Sequence, residues 1–526
     1  YTTSNSEEVL MVTTFANKVV AARGEKIWSS ASTTLGTDST NAIASGTSMT
    51  GSGTITVEST TGFSSSGTLQ INNEQFTYTG VTSTTFTGVT RSTSSTTAAD
   101  HAASSDTSIT PVSESWTVRD TGRTNATKYS FERFNFDGND KLIVVDGVND
   151  PTVFNTSLTA TDVTASSVEG ASLVAAFREH MFYAGMSSTP QEVVFSQPFD
   201  EDAFNSGSGA GSIKVDDTIV GLKVFRENLF IFCENRIFKL TGSSSSDFAV
   251  APVTRDIGCI NGKTIQEFAG DLIFLGPDGL RTVAGTARIG DVELGTISAN
   301  VQSIFDENII NAAAFESVVI PNKTQYRLFF SKQGGAESKT EGIVCVLKNQ
   351  ASGQQGYEFS TIKGMKPAAS DTFIKTGDVL VLHGGFDGFI YRQEQGTTFD
   401  GTAINGRYRS PDLTMNDPGI RKHMQRVIVN FKPESTIDAD LFVRYDYEAA
   451  GSSRPAAYAL DSTNIAGIYG TSTYGTPTYG GPSQPLVRQP VEGSGFAVAL
   501  RVNDGGTTAP YSLKGFQLEY QLGERR

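Results

Sequence analysis

At 526 residues and 38% hydrophobic content the chain is too long for one small core, and two to four domains are expected. A formal net charge of −15 argues against a protein that grips nucleic acid by neutralising phosphates, though not against one past which nucleic acid slides. Three cysteines exclude a disulfide framework, and no run of about 18 apolar residues is present that could span a membrane. The 33 Phe and 16 Tyr are set in a background rich in Thr, Ser and Gly, a composition that favours strands and turns. The opening YTTSNSEEVL lacks a basic segment and an apolar run, so no secretory signal is expected.

The first predicted element is a hairpin. From Phe15 the chain reads FANKVVAARGEKIW, and the same order returns as FREHMFYAG from Phe177, FRENLFIFCENRIF from Phe225 and FAGDLIFLGPDGL from Phe268. In three copies the phenylalanine stands twelve positions before an apolar residue beyond the turn, namely Ile27, Ile237 and Leu280. Phe177 and Phe225 are 48 positions apart, Phe225 and Phe268 43. Steps of roughly 40 to 50 residues carrying about four short strands are the sequence signature of β-propeller blades.

Residues 1–30 therefore supply the first propeller strands, and the step then breaks. Removing residues 31–110 restores about one blade step, so this stretch reads as an inserted surface domain on the outer side of a blade hairpin. Its first part is low-complexity Ser/Thr/Gly. Its second, GTLQINNEQFTYTGVTSTTFTGVTRSTSSTTAADHAA, alternates polar and apolar residues as a small β module does.

Residues 111–400 continue the propeller. DKLIVVDGVNDPTVFN (140–155) is a hairpin with a long turn, and one blade reads whole, with strands at 219–225, 228–233, 236–242 and 248–254. ISANVQSIFDENI (297–309) is the best helix candidate, and QYRLFFSK, EGIVCVLK and GYEFST (325–361) are later strands of another blade. GDVLVLHGGFDGFIYRQ (377–393) supplies one more, for six or seven blades in all.

Beyond residue 400 the period stops. MQRVIVNFKP, ADLFVRYDYE, GFAVALRVND and LKGFQLEYQLG are longer alternating strands suited to a C-terminal β-sandwich over 401–526. Between them runs a Tyr/Gly/Pro-rich stretch with Tyr458, Tyr469, Tyr474 and Tyr479, read as a candidate assembly loop because Tyr offers large contact area at low entropic cost. The basic run GIRKHMQR (419–426) reads as a solvated strand edge.

No convergent catalytic set is apparent. His101, His180, His383 and His423 lack metal-ligand spacing, and neither G-x-S-x-G nor a Walker-type loop occurs. GSGAGS (207–212) does not lead into a helix and reads as an inter-blade loop. Asp137, Asn139, Asp140, Asp146 and Asp150 form an oxygen-rich cluster without EF-hand spacing and read as turn residues. GPDGL (276–280) lacks the Ser and Trp of a sialidase-type Asp box. Cys233 and Cys345 lie in strand-like runs as small buried hydrophobes. No catalytic, cofactor-binding or metal residue is assigned.

Phe274-Leu275-Gly276-Pro277-Asp278-Gly279-Leu280-Arg281, then Val292 to Ile304, then a Tyr/Arg-rich strand and the sandwich, together resemble the tail nozzle or tail-stabilisation (tail tubular protein B) proteins of short-tailed bacteriophages. The resemblance runs from about Phe136 to Arg526, and residues 31–110 depart from the simplest members while resembling β modules of other phage structural proteins. It implies a non-enzymatic, structural virion protein without cofactor, located in the short tail below the portal. The implied partners are five further copies in a homohexameric ring, an adaptor ring above, tail fibres or a needle below or beside, and double-stranded DNA that passes without specific binding. Two alternatives stand beside it. A polysaccharide-binding or polysaccharide-degrading propeller should bind glycans as a monomer, and a calcium-dependent adhesin should melt earlier in a chelator.

Overall fold

The stretch from Ile219 to Thr254 folds strand for strand as its pattern predicts. Ile219–Phe225, Asn228–Cys233, Ile237–Thr241 and Ala249–Thr254 pair antiparallel in chain order, and alternate side chains enter the cores on the two sheet faces. In the computed structural model, residues 8–30, 53–57, 59–61, 63–71, 74–93, 96, 98–99, 101, 109–111, 116–126, 129–283, 296–332, 341–349, 355–375, 378–394, 396–399, 402–433, 437, 439–448, 456–460, 486–506 and 511–525 are described. The chain divides into two units, residues 1–394 and 395–526.

Among the described residues the first unit holds seven antiparallel sheets in sequence, five of four strands and two of three, and it is a β-propeller of seven blades. Their first strands are Val9–Phe15, Ser130–Phe134, Leu173–Phe177, Ile219–Phe225, Gln266–Phe268, Ala312–Ile320 and Pro367–Lys375. These strands touch from the second blade to the third, third to fourth, fifth to sixth, sixth to seventh, and seventh to first. Between the fourth and fifth, Gly221 packs on the Gly262–Thr264 turn, so closely that a Cβ on Gly221 would meet the Ile265 side chain.

The recurrent phenylalanine now has a place. Phe15, Phe134, Phe177, Phe225 and Phe268 each end the first strand of a blade and are buried. Each joins a core shared with the following blade: Phe15 with Leu142 and Val144, Phe134 with Val174 and Met181, Phe177 with Leu229 and Ile231, Phe225 with Leu272 and Phe274, and Phe268 with Tyr326 and Leu328. Val9, Val12, Ala21, Ala369 and Leu382 join the seventh blade to the first. After four of the phenylalanines the chain reverses through two residues of positive φ, Ala16-Asn17, Arg178-Glu179, Arg226-Glu227 and Ala269-Gly270, the geometry that matches strand twist in the tightest hairpins. GSGAGS lies inside the third blade, its last two residues opening the outer strand Gly211–Lys214, rather than between blades; there the third and fourth strands are joined by the longer loop.

The inserted module leaves the first blade between its third strand, Lys26–Ser29, and its outer strand, Thr117–Asp120. It has two three-stranded sheets and a core of its own, including Ile55, Leu69, Ile71, Phe76, Phe86 and Ile109. The predicted helix is present as Gln302–Asn311, after a short 3-10 turn at Ala299–Val301. No helix among the described residues is long and apolar enough to cross a membrane.

The second unit is a β-sandwich. One sheet runs Gly406–Arg409, Val498–Asp504, Asp440–Tyr445, Tyr458–Ala459. In the other, Ile420–Pro433 has Leu486–Pro490 and Ser494–Gly495 along one side and Tyr511–Arg525 along the other. Val427, Val429, Phe431, Leu441, Val443, Val498 and Leu500 fill the space between. The basic run is consequently not an edge, because the strand that carries it is paired on both sides. Its charges are used locally: Lys422 is buried with Nζ donating to the carbonyls of Phe496 (3.2 Å) and Asp417, Arg421 lies over the Phe496 ring, and Arg426 pairs with Glu519 (3.2 Å).

Candidate functional site

Among the described residues, a set of interacting ionisable side chains lies on and beside the first strands of the blades. Arg133 of the second blade donates from Nε to Thr14 O (2.8 Å) and from Nη2 to Thr13 Oγ1 (2.5 Å) of the first, and pairs with Asp371 of the seventh. Thr13 Oγ1 in turn donates to Asp371 Oδ2 (2.9 Å). The Arg133 guanidinium lies 5.4 Å from the ring centroids of both Phe131 and Phe373, which hold its plane.

A second group crosses from the fifth blade to the seventh. Glu316 is buried; its Oε1 accepts from Ser370 N (2.8 Å) and its Oε2 lies 3.4 Å from Lys263 Nζ. Ser317 Oγ donates to Lys263 O (2.5 Å) and accepts from Gln266 Nε2 (3.2 Å). Burial pushes the Glu316 carboxyl up to about 7 against the pull of Lys263, and burial does the same to Glu132, to about 7, against Lys223 and Arg133. Asp371 and Glu8 are also raised by burial, opposed by Arg133 and by Lys263 respectively. These groups come from first strands and the turns beside them, and most face a neighbouring blade's cation or amide. What the arrangement does is join blades through polar contacts.

The four histidines are dispersed. His180 Nδ1 donates to Ser196 O (2.6 Å) inside an aromatic cluster with Phe182, Phe195 and Phe248. His383 stacks on Tyr391 at 5.0 Å, and burial pushes it down to about 4. Cys233, Cys259 and Cys345 are free and buried, and burial pushes their thiols up to about 12, 11 and 12. Of the oxygen-rich cluster, Asp146 Oδ1 accepts from Val148 N (2.9 Å) and Asn149 N (2.8 Å) while Oδ2 accepts from Arg123 (2.7 Å), so it is a turn residue tied to a cation.

Sequence reasoning missed one site altogether. In the inserted module Glu74 is buried and accepts from Arg91 Nε (2.9 Å) and Nη2 (2.7 Å), Ala99 N (2.9 Å) and His101 Nε2 (3.0 Å). Burial alone would raise its carboxyl, but these donors hold it at about 2. The signal was present, since Glu74 and Arg91 are rare charges in a Ser/Thr-rich stretch.

Of the candidate loop, Tyr458 lies in the sandwich, packed against its core with the hydroxyl accepting from Glu492 N (3.0 Å). Tyr469, Tyr474 and Tyr479 lie outside the described residues.

No protein-family model and no curated protein sequence matches the chain. Among solved structures it is similar to Kluyveromyces lactis Hsv2, with TM-score 0.30, 7% identity, and 68% of this chain and 99% of that one covered. It is similar also to the N-terminal domain of Nup159, with TM-score 0.30, 7% identity, and 48% and 71% covered. A third is PorZ, a surface component of the type-IX secretion system of Porphyromonas gingivalis, with TM-score 0.31, 10% identity, and 79% and 49% covered.

Proposed function

We propose that the chain is a structural protein of a short virus tail, a ring-forming nozzle or hub that conducts DNA and docks other tail components. The observation that carries this reading concerns the string on which the resemblance rests. Its parts pack as one unit: Leu280 N donates to Ser298 Oγ (3.1 Å), Ile297 N to Leu280 O (2.9 Å) and Gln302 Nε2 to Asp278 O (2.7 Å). Gly279, at φ 128°, sits so close to Ser298 that a side chain there would collide with the Ser298 hydroxyl. Residues 292–295 of the string lie outside the described residues; the turn, Ile297, Ser298 and the helix that bond to one another in this way account for a string recognisable at a distance.

The role needs no reacting centre, and carboxyls engaged between blades suit a scaffold. A ring with net negative charge lets phosphates pass without anchoring them. The test is native mass spectrometry with negative-stain microscopy of the full chain, for which a six-fold ring is expected. A monomer that retains polysaccharide would replace this reading with a glycan-binding propeller. A melting temperature lowered by chelator would replace it with a calcium-dependent adhesin.

A further inference from the structure

One face of the C-terminal sandwich is built unlike the rest of the molecule. In the strand Asp440–Tyr445, Leu441, Val443 and Tyr445 enter the sandwich core, so Phe442 and Arg444 belong to the opposite face. The register sets Arg409 beside Arg501 and Arg501 beside Phe442, with Arg407 and Arg444 two residues along their strands. Four arginines from three adjacent strands thus share one sheet face. Like charges directly opposite in a sheet repel.

Arg444 is 2% exposed, yet its Nε, Nη1 and Nη2 have no hydrogen-bond partner. Arg501 lies 3.9 Å from the Phe442 ring centroid, and its Nε likewise lacks an acceptor. Only Arg409 has a carboxylate, Asp412 at 3.4 Å, among the described residues. Burial, then Arg407, Arg444 and Arg409, push Arg501 below its ordinary value. A buried guanidinium without an acceptor is costly unless an anion completes it. Protection of a sheet edge would explain Arg407 and Arg409, which are exposed on the edge strand Gly406–Arg409. It does not explain Arg444, two strands further in and buried.

The charge of the chain is divided to match. Residues 395–526 contain 13 Lys and Arg against 13 Asp and Glu, whereas residues 1–394 contain 28 against 43. The whole net charge of −15 therefore belongs to the propeller unit.

We propose that the arginine face, presenting Arg407, Arg409 and Arg501 with the charge of buried Arg444 behind them, docks on an acidic surface of the propeller unit of a second copy of this chain, whose carboxylates offset this unbalanced positive charge. This rests on the self-assembling ring proposed above and names a contact that would build it. Carboxylates are favoured over nucleic-acid phosphates because a polyanion must approach a molecule that repels it, whereas the acidic unit comes with every copy.

The experiment uses the full chain and the double variant Arg407→Glu/Arg409→Glu, whose substitutions are exposed and spare the core. Sedimentation velocity and native mass spectrometry at about 0.05 M and about 0.5 M salt read the assembly. The wild type should assemble less well in high salt, and the variant should self-associate about 100-fold more weakly at low salt with an unchanged monomer melting temperature. Arg444→Met, which replaces a buried charge by an apolar chain, should fold at least as well and also assemble less well. Variants that form the same ring as the wild type would overturn this contact and leave the ring reading intact. A wild type that stays monomeric throughout would overturn the ring reading and this contact with it. A duplex DNA probe bound by the wild type but not by the double variant, with self-association unchanged, would overturn the carboxylate partner in favour of phosphates.

Discussion

Arg133 and Asp371 are 238 positions apart in the chain and belong to the second and seventh blades, yet their side chains pair, with Thr13 of the first blade bonded to both. The pairing bears on how the ring closes. Propellers often close by completing one blade with strands from both chain ends; here the first blade is built from residues 9–120 and the seventh from residues 367–392. Closure between them is made by side chains: Val9, Val12, Ala21, Ala369 and Leu382, and this polar cluster.

Replacing Asp371 by Ala should therefore weaken the closure specifically. Arg133, whose side chain is 30% exposed, would keep some solvation, so the expected loss is about 1–3 kcal/mol rather than that of a fully buried pair. Urea denaturation followed by limited proteolysis should show earlier cleavage at the first and seventh blades. Equal protection in wild type and variant would mean that the apolar seam alone closes the ring.

The carboxyls between blades make stability pH-dependent in an unusual direction. Glu316, raised to about 7, binds its proton more tightly folded than unfolded, so its contribution is fully present below the ordinary carboxyl range and is lost as pH rises through about 7. The wild type should lose on the order of 3 kcal/mol from this group between about pH 4.5 and pH 8. Glu316→Gln keeps an acceptor for Ser370 N and should remove that slope. A variant with the wild-type slope would place the titration elsewhere.

For the blade repeat, Phe225→Ala and Phe134→Ala should each cost about 3–5 kcal/mol, because both rings fill cores shared by two blades. Guanidinium denaturation reads the change directly. A cost under about 1 kcal/mol at either site would mean that the ring is not part of a seam.

Ser29 and Thr117 are opposite each other in the first blade, so the inserted module leaves and re-enters across a gap that a short turn can span. Replacing residues 31–115 by a four- or five-residue Gly-Ser turn should leave the propeller folded, with a melting temperature within a few degrees of the wild type. Aggregation or loss of the β circular-dichroism signal would instead make the module part of the propeller core.

What could be read from the sequence was local. The strands of the fourth blade follow from alternation between turn residues, and the phenylalanine repeat follows from its spacing, but the next-blade partners of Phe134, Phe177, Phe225 and Phe268 lie 40 to 60 residues away, those of Phe15 more than 120 because of the insert, and carry no signal. GIRKHMQR was read as an edge because its strand's partners come from residues 486–495 and 511–525, beyond a long interruption. The arginine face was invisible for the same reason, since Arg407, Arg444 and Arg501 meet only once three distant strands are set in register. Glu74, Arg91 and His101 matched no motif, because their role is to satisfy one another in a core rather than to present a reactive group.

That last cluster should make the inserted module the acid-sensitive part of the protein. Glu74 is held at about 2, below the ordinary carboxyl value, so its contribution is present above about pH 4.3 and is lost as pH falls toward about 2. The size is on the order of 3 kcal/mol, much of what a module this small can possess. Cleavage by pepsin within residues 54–111 should therefore rise steeply between about pH 4.5 and pH 2. Glu74→Gln, which leaves Arg91 buried without its carboxylate, should expose the same sites to a neutral-pH protease, at a cost of about 3–5 kcal/mol. If the module of the variant resists proteolysis at neutral pH as the wild type does, the buried pair is not what holds it together.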